Sequence, residues 1–238
     1  MTRAEKAAAE RAARDRLAAD EATGPARTAV TLPRTFRRFW YHPSPWMILA
    51  VLGSAVAWRT TEGGWTLADL RAPALLVAAF PALEWVVHVF VLHWRPHRIA
   101  GLTIDSELAR DHRRHHADPR DTPLVFIPWR SLTLVIAAYT TVALLAFPRL
   151  GEALTFIGSV AALGLLYEWT HYLIHSDYRP RGRLYRAVWR NHRLHHYKNE
   201  HYWFTVTTAG TADRLLRTYP DPATVPTSAT ARNLHATP

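Results

Sequence analysis

The sequence predicts an all-α integral membrane protein, a bundle of about four transmembrane helices beneath a helical cytosolic cap. Three observations carry this reading. Four apolar stretches punctuate the chain, its basic residues collect in alternate connecting segments, and its histidines collect where those basic segments meet the apolar ones.

Residues 1–28 are rich in Ala, Arg and Glu, with no large apolar face beyond Leu17. They lack the apolar core and cleavage site of a secretory leader. Five acidic residues before position 22 argue against a transit peptide. Further on, Arg37 and Arg38 stand beside Phe39, Trp40 and Tyr41, a composition suited to the headgroup level of a bilayer. Residues 1–42 are therefore expected to form a basic arm, partly disordered or interfacial.

The first apolar stretch, Trp46 to Trp58, falls short of the ~20 residues a crossing needs, so it must borrow flanking residues or be re-entrant. The second, Pro73 to Trp94, is long enough and carries His88 and His93 near its end. The third, Ser131 to Phe147, and the fourth, Ala153 to Ile174, are joined by the turn at 148–152, short enough to make them antiparallel neighbours. These stretches and their connections are read as one domain, 43–220, followed by a flexible tail, 221–238. A soluble helical bundle is the competing reading, kept open by a near-neutral mean hydropathy.

The net charge of +10 invites a nucleic-acid reading. Its distribution points elsewhere. Arg95, Arg98, Arg110, Arg113, Arg114 and Arg120 follow the second stretch, and Arg179, Arg181, Arg183, Arg186, Arg190, Arg193 and Lys198 follow the fourth. The 60–72 and 148–152 connections hold only Arg71 and Arg149. Four crossings with both termini inside put every basic segment on the cytoplasmic face. No nucleic-acid partner is expected. Ten tryptophans and nine tyrosines suit interfacial belts, although aromatics also fill soluble cores.

Twelve of the fourteen histidines lie between His88 and His201, and ten form four compact groups. These are His88 and His93; His112, His115 and His116; His171 and His175; and His192, His195 and His196. Two groups share a spelling, HRRHH at 112–116 and HRLHH at 192–196. Residues three or four apart on a helix share a face, so three of the groups would each converge on one side. His88 and His93, five apart, would be rotated away from each other on a plain α-helix; they reach different metals or are brought together by a kinked turn. Neutral imidazole is the commonest transition-metal ligand, and ten of them exceed one tetrahedral site. The pattern asks for two metal ions. With no cysteine in the chain, thiolate sites and cysteine-held iron–sulfur clusters are excluded, leaving nitrogen and oxygen donors for iron, zinc, copper or nickel.

Carboxylates near the histidines are candidates to orient ligand rings. Asp111, Glu168 and Asp177 either accept a ring N–H or pair with nearby arginines. Glu84, one turn before His88 in an apolar stretch, is costly at membrane depth and is expected to support a ligand. Asn191 and Tyr172 flank ligands without further distinction. His42, His97 and His235 are expected at the surface.

EWVVHVFVLH at 84–93, DHRRHH at 111–116, YEWTHYLIH at 167–175 and NHRLHHYKNEHYWF at 191–204 resemble the fatty acid hydroxylase and sterol desaturase superfamily. The order of the groups is most similar to its fatty acid 2-hydroxylase branch, over roughly residues 75–220. The resemblance implies four transmembrane helices under a cytosolic cap. It implies a histidine-held pair of irons that uses dioxygen and two electrons to hydroxylate or desaturate lipid chains. By motif, the ligands it implies are His88, His93, His112, His115, His116, His171, His175, His192, His195 and His196. His201 sits where some members carry a further histidine and is an optional or supporting ligand. Where members often read Phe-Gly followed by Val or Ile and Thr, this chain has Phe204, Thr205, Val206 and Thr207, a departure from the pattern. It departs again at Ala212, where an aromatic commonly precedes the Asp. Those changes bear on substrate fit more than on metal binding.

The cofactors implied are two iron ions, with zinc the metal a purified sample could carry instead, and dioxygen as co-substrate. The partners are a lipid substrate and a separate electron donor, a ferredoxin or a cytochrome b5-like protein with its reductase. The expected location is a bacterial plasma membrane, or the endoplasmic reticulum of a eukaryote, with the metal site and both termini cytoplasmic. Sterol or carotenoid hydroxylation or desaturation is the alternative within the superfamily. A membrane metal transporter and an inactive scaffold holding structural zinc are the alternatives outside it.

Overall fold

A computed structural model describes residues 30–179 and 181–235, together with positions 5, 8 and 12. Most of the expected basic arm, and the last three residues, lie outside the described residues. A short helix α1 (Leu32–Phe39) leads into α2 (Pro43–Glu62), whose Pro43 occupies a first-turn position where no amide hydrogen is needed. A 3₁₀ turn (Leu67–Leu70) opens α3 (Arg71–Val87), which continues as a π-helical turn over His88–Leu92. A small antiparallel hairpin, β1 (His97–Ile99) with β2 (Leu102–Ile104), precedes α4 (Glu107–Ala117). After a 3₁₀ turn (Thr122–Val125) come the long helices α5 (Trp129–Ala146) and α6 (Leu150–His175), then α7 (Arg183–Tyr197) and the short α8 (Thr211–Leu215).

The helical class and the four long helices match the expectation; the hairpin is an addition to it. Among the described residues, three spans are long and apolar enough to cross a membrane: Leu67–Leu92, Thr122–Ala146 and Leu150–His175. Helix α2 is long enough but not apolar enough, because prolines open it and Arg59 and Glu62 close it. In the Leu67–Leu92 span only 11% of the apolar window is buried within the protein. Leu75, Leu134 and Leu145 stand outward at 69%, 71% and 83% exposure. Outer faces this apolar are stable only against lipid. A soluble bundle would bury them.

Small residues set the bundle's spacing. A Cβ at Gly158 of α6 would meet the Ala55 Cβ of α2 at 3.7 Å, so these two helices approach as closely as small side chains permit. Ala55, Ala143, Ala153 and Ile157 form one packed cluster there, and Ile48, Leu132 and Ala161 another. At the end away from the histidines, buried Arg59 donates to Asp69 (3.0 Å), the Gly63 carbonyl (2.5 Å) and Thr155 (3.2 Å). The guanidinium also stacks on Trp65, so the charge at this end is fully partnered. At the other end Phe39, Val125, Phe126 and Tyr172 seat α1 and the Thr122–Val125 turn on α6.

Glu168 holds that second end together. Its carboxylate accepts from the Ser44 hydroxyl at 3.0 Å and the Ile127 amide at 3.0 Å, joining α2, α6 and the lead-in to α5. Glu168→Leu strands the Ile127 N–H and should lower stability by about 1–3 kcal/mol. Glu168→Gln can still accept from Ile127 and hydrogen-bond to Ser44, so it should unfold in detergent close to the wild-type temperature. Equal loss in both variants would remove the bridging role.

Candidate metal centre

The ten motif histidines converge in the cap as two groups of five. Group 1 is His88, His93, His112, His116 and His195; group 2 is His115, His171, His175, His192 and His196. Within each group the ligand-capable nitrogens all lie within 4.8 Å of one another. The groups share a wall, where the His116 and His196 rings lie 4.2 Å apart between centroids.

Local structure explains the sorting. The His93 amide bonds the His88 carbonyl at 3.0 Å, an i→i+5 contact that widens the turn by one residue. Both rings therefore face group 1, with centroids 5.0 Å apart, and the kinked-turn alternative is the one realised. The three-histidine boxes do not each serve one group, as convergence on one side had suggested. In α4 the i, i+4 pair His112 and His116 enters group 1 and His115 enters group 2. In α7 the pair His192 and His196 enters group 2 and His195 enters group 1. Helix α4 is fixed at its start by the Ser106 cap on Ala109 and by Glu107, which accepts from Ser131. Helix α7 is fixed to α6 by the Tyr185 hydroxyl on the Leu173 carbonyl.

Ring orientation comes from the main chain. The Nδ1 of His116 faces the Ala231 carbonyl at 2.8 Å, that of His195 the Tyr202 carbonyl at 2.8 Å, and that of His171 the Val125 carbonyl at 2.9 Å. A carbonyl only accepts, so each neutral ring carries its hydrogen on Nδ1 and leaves a bare lone pair on Nε2. The bare Nε2 atoms of His116 and His195 then face each other at 3.2 Å. No hydrogen bond can join two lone pairs. A shared cation can, and two nitrogens ~2.1 Å from one ion at right or tetrahedral angles lie ~3.0–3.4 Å apart. The other Nε2 pairs fit the same window: His93 with His195 and His115 with His175 at 3.2 Å, and His192 with His171 and with His196 at 3.0 Å. Among the described residues, neither nitrogen of buried His88, nor Nε2 of His112, makes a well-formed hydrogen bond. The donors fit metal ions. Five nitrogens per group exceed the four of a structural zinc site.

The residues expected to orient the ligands act differently. Glu84 accepts from the Thr207 amide (2.7 Å) and hydroxyl (3.0 Å) and from the Thr208 hydroxyl (3.1 Å); it touches no ring. Asp111 pairs with Arg114 at 3.2 Å, Glu168 bridges helices as above, and Asp177 is exposed. His201 is 72% exposed, with its ring 3.6 Å from the Glu200 carboxylate, and joins neither group. His97 is exposed as expected. His42 instead stacks on Phe126 at 3.9 Å, and His235 is half-buried with Nε2 3.1 Å from the His93 carbonyl. Tyr172 packs in the aromatic cluster, and Asn191 accepts from the Tyr219 hydroxyl at 2.9 Å.

Two acidic residues pin a loop whose role the motifs do not reveal. Asp213 accepts from the Phe204 and Thr205 amides, both at 2.9 Å, and from the Thr205 and Thr218 hydroxyls. With Glu84 it fixes residues 204–208, so that Phe204 lies 5.3–5.6 Å from the rings of His88, His93 and His195. Thr205, which stands where the common pattern has Gly, and Thr207 are thus bound by hydroxyl as well as by amide. Gly210 closes the return: at φ +82° a Cβ there would lie 2.4 Å from the Tyr219 ring.

Residues 221–235, expected as a flexible tail, instead form turns packed on the cap, with Val225, Ala231 and Leu234 buried. Short apolar contacts and main-chain bonds hold them, a kind of order that composition does not announce.

A family model described as fatty acid hydroxylase matches residues 73–218. The chain is 26% identical over 126 residues to the fatty acid 2-hydroxylase of Mus musculus, covering 53% of this chain and 33% of that protein. For the Macaca fascicularis fatty acid 2-hydroxylase the identity is 25% over 152 residues, covering 63% of this chain and 40% of that protein. For the Homo sapiens protein it is 25% over 126 residues, covering 53% and 33%. The chain thus spans between a third and two-fifths of the length of these curated relatives. Among solved structures, the hydroxylase domain visible in full-length Scs7p superposes with a TM-score of 0.64 at 21% identity, covering 80% of this chain and 69% of that one. That likeness establishes a shared fold.

Burial first, and neighbouring imidazoles second, hold His93, His112, His115, His192 and His196 well below the ordinary histidine value of 6.5. Burial pushes His195 down to about 4. A group whose folded pKa is depressed contributes stability that is present above 6.5 and lost as pH falls through the folded value. Metal-stripped protein should therefore lose stability steeply between about pH 6.5 and 4 and be nearly level from 7 to 9. Chemical denaturation at a series of pH values tests this, and a flat acid limb would contradict the buried, neutral cluster.

Proposed function

Because the chain belongs to the fatty acid hydroxylase family, we propose that it is a membrane-bound non-haem diiron oxygenase acting on a lipid, most specifically a 2-hydroxylase-like enzyme of fatty acyl chains. The observation that carries this is the pair of adjoining five-histidine groups with facing lone pairs. All ten histidines are the proposed metal ligands. Two irons bound there would supply reductive activation of dioxygen, the chemistry needed to insert oxygen into an unactivated C–H bond.

The chain's own residues do the rest. Main-chain carbonyls at Ala231, Tyr202 and Val125 keep three rings in the metal-binding tautomer. Phe204 and its pinned loop cover group 1 and exclude water. An apolar crevice walled by Leu92, Leu108, Ile127 and Tyr167 reaches His112 of one group and His171 of the other. At about 40 Å³ it is too small to hold an acyl chain as it stands, so a chain reaching both groups from this side would have to widen it. With no cysteine in the given sequence to hold an iron–sulfur cluster, a ferredoxin or cytochrome b5-like donor is the proposed source of electrons. Arg38 and Arg120 line a 290 Å³ cleft whose wall includes His175, a basic approach that would speed encounter with an acidic donor. With α2 taken as a fourth crossing beside the three apolar spans, the proposed topology has the cap and both termini cytoplasmic, in a plasma membrane or, in a eukaryote, the endoplasmic reticulum. A metal transporter would need charged or metal-ligating groups along its crossings, and Ser131–Ala146 of α5 has none beyond hydroxyls.

Detergent-purified protein should contain about two irons per chain, one for each group. His112→Ala with His195→Ala removes two ligands of group 1 and should leave about one. With a reductase and isotopically heavy dioxygen, lipids extracted from the wild type should gain one labelled oxygen, read by mass spectrometry, and the double variant should give none. Two zincs and no labelled product even after iron loading would remove the oxygenase reading; a folded wild type without metal would remove the dimetal site.

A further inference from the structure

We propose that the C-terminal strap, residues 221–235, is a positioning element for group 1 alone, setting how firmly that half of the centre holds its metal. The inference rests on the dimetal reading above and concerns residues beyond the 73–218 that the family model matches.

The strap's contacts converge on group 1. The Ala231 carbonyl takes the Nδ1–H of His116 at 2.8 Å and so turns its Nε2 inward. Arg232, next along, donates from Nε to the His116 carbonyl at 3.0 Å and from Nη2 to the Ala117 carbonyl at 2.7 Å. These are last-turn carbonyls of α4, which have no partner within the helix and favour a cation. His235 places Nε2 3.1 Å from the carbonyl of His93. The strap is itself tied down on the far side of α7. Glu200, 2% exposed, accepts from the Ser228 hydroxyl at 2.9 Å and from the Thr230 hydroxyl, and the Ser228 amide donates to the Lys198 carbonyl at 2.8 Å.

Group 2 has no such dependence. His171 is oriented by the Val125 carbonyl, in the segment between α4 and α5. Four of the five group 2 ligands lie on α6 and α7. Loosening the strap therefore frees the ring of His116 and the end of α4. That helix brings two ligands to group 1 and only His115 to group 2, while the other four group 2 ligands stay held on α6 and α7.

Two full-length variants separate a positioning role from a general loss of folding. Arg232→Ala removes the clamp on α4; Ser228→Ala with Thr230→Val releases the strap from Glu200. Each metal-loaded protein is mixed with excess chelator, and metal release is followed with time. Removing a group that orients a metal ligand typically weakens the site about 10–100-fold. One metal per chain should leave at least ~10-fold faster than in the wild type while the other keeps its wild-type rate. The fast phase should be missing when His112→Ala with His195→Ala has already emptied group 1. Both metals leaving at wild-type rates, or both accelerated together, would overturn the proposal. A wild type that holds no metal pair would instead fail the dimetal reading itself, visible before any strap variant is made.

Discussion

Lone pairs facing lone pairs at about 3 Å govern this molecule. His116 and His195 have each spent their single hydrogen on a main-chain carbonyl, so their Nε2 atoms meet at 3.2 Å with nothing between them to share. Protonation would relieve the repulsion, but burial opposes it in a cluster made mostly of other imidazoles. A positive ion held in common satisfies all the rings at once. The α4 and α7 boxes, the widened turn at the end of α3 and the pinned 204–208 loop all bring nitrogens to that arrangement. The apolar bundle below gives them a rigid base.

Support for the rings falls to the backbone rather than to acids. Carboxylates would add charge that could itself compete for metal or trap a proton. Carbonyls fix the tautomer without either effect. The acidic residues that lie nearby, Glu84 and Asp213, are spent on amides and hydroxyls of one loop. Each is therefore one step removed from the rings, acting through Phe204.

The ligand set was legible because metal binding constrains residue type and spacing together. Repeated HxxHH boxes, an i, i+4 pair and a fourth group leave little room for another reading. The division of each box between two groups was not legible, since HxxHH fixes only that three rings share a face and not how neighbouring helices partition that face. The π-helical turn was legible only as a choice, from the awkward five-residue step between His88 and His93. The carbonyls of Ala231, Tyr202 and Val125 left no trace, because every residue has a carbonyl and only the fold decides which one faces a ring. The same holds for the packed strap, whose Pro, Thr and Ala content reads as loose chain. For the bundle, outward-facing leucines confirm what hydropathy implied, while α2 shows that a helix can be long enough to cross yet end in charge that its partners must bury.

The five-residue step from His88 to His93 also has a genetic side. The widened turn accommodates one residue more than the α-helical spacing of His171 and His175. Deleting a single codon among Val89, Phe90, Val91 and Leu92 would restore an i, i+4 pair that looks more orthodox on paper. It would also rewind the helix end and turn Trp94, the hairpin and the approach to α4 by about 100°. Loss of one codon there would thus be felt at His112 and His116, some twenty residues downstream. Substitutions within this turn can be absorbed one side chain at a time, whereas changes of length cannot, so the turn is a place where the reading frame of the fold is set.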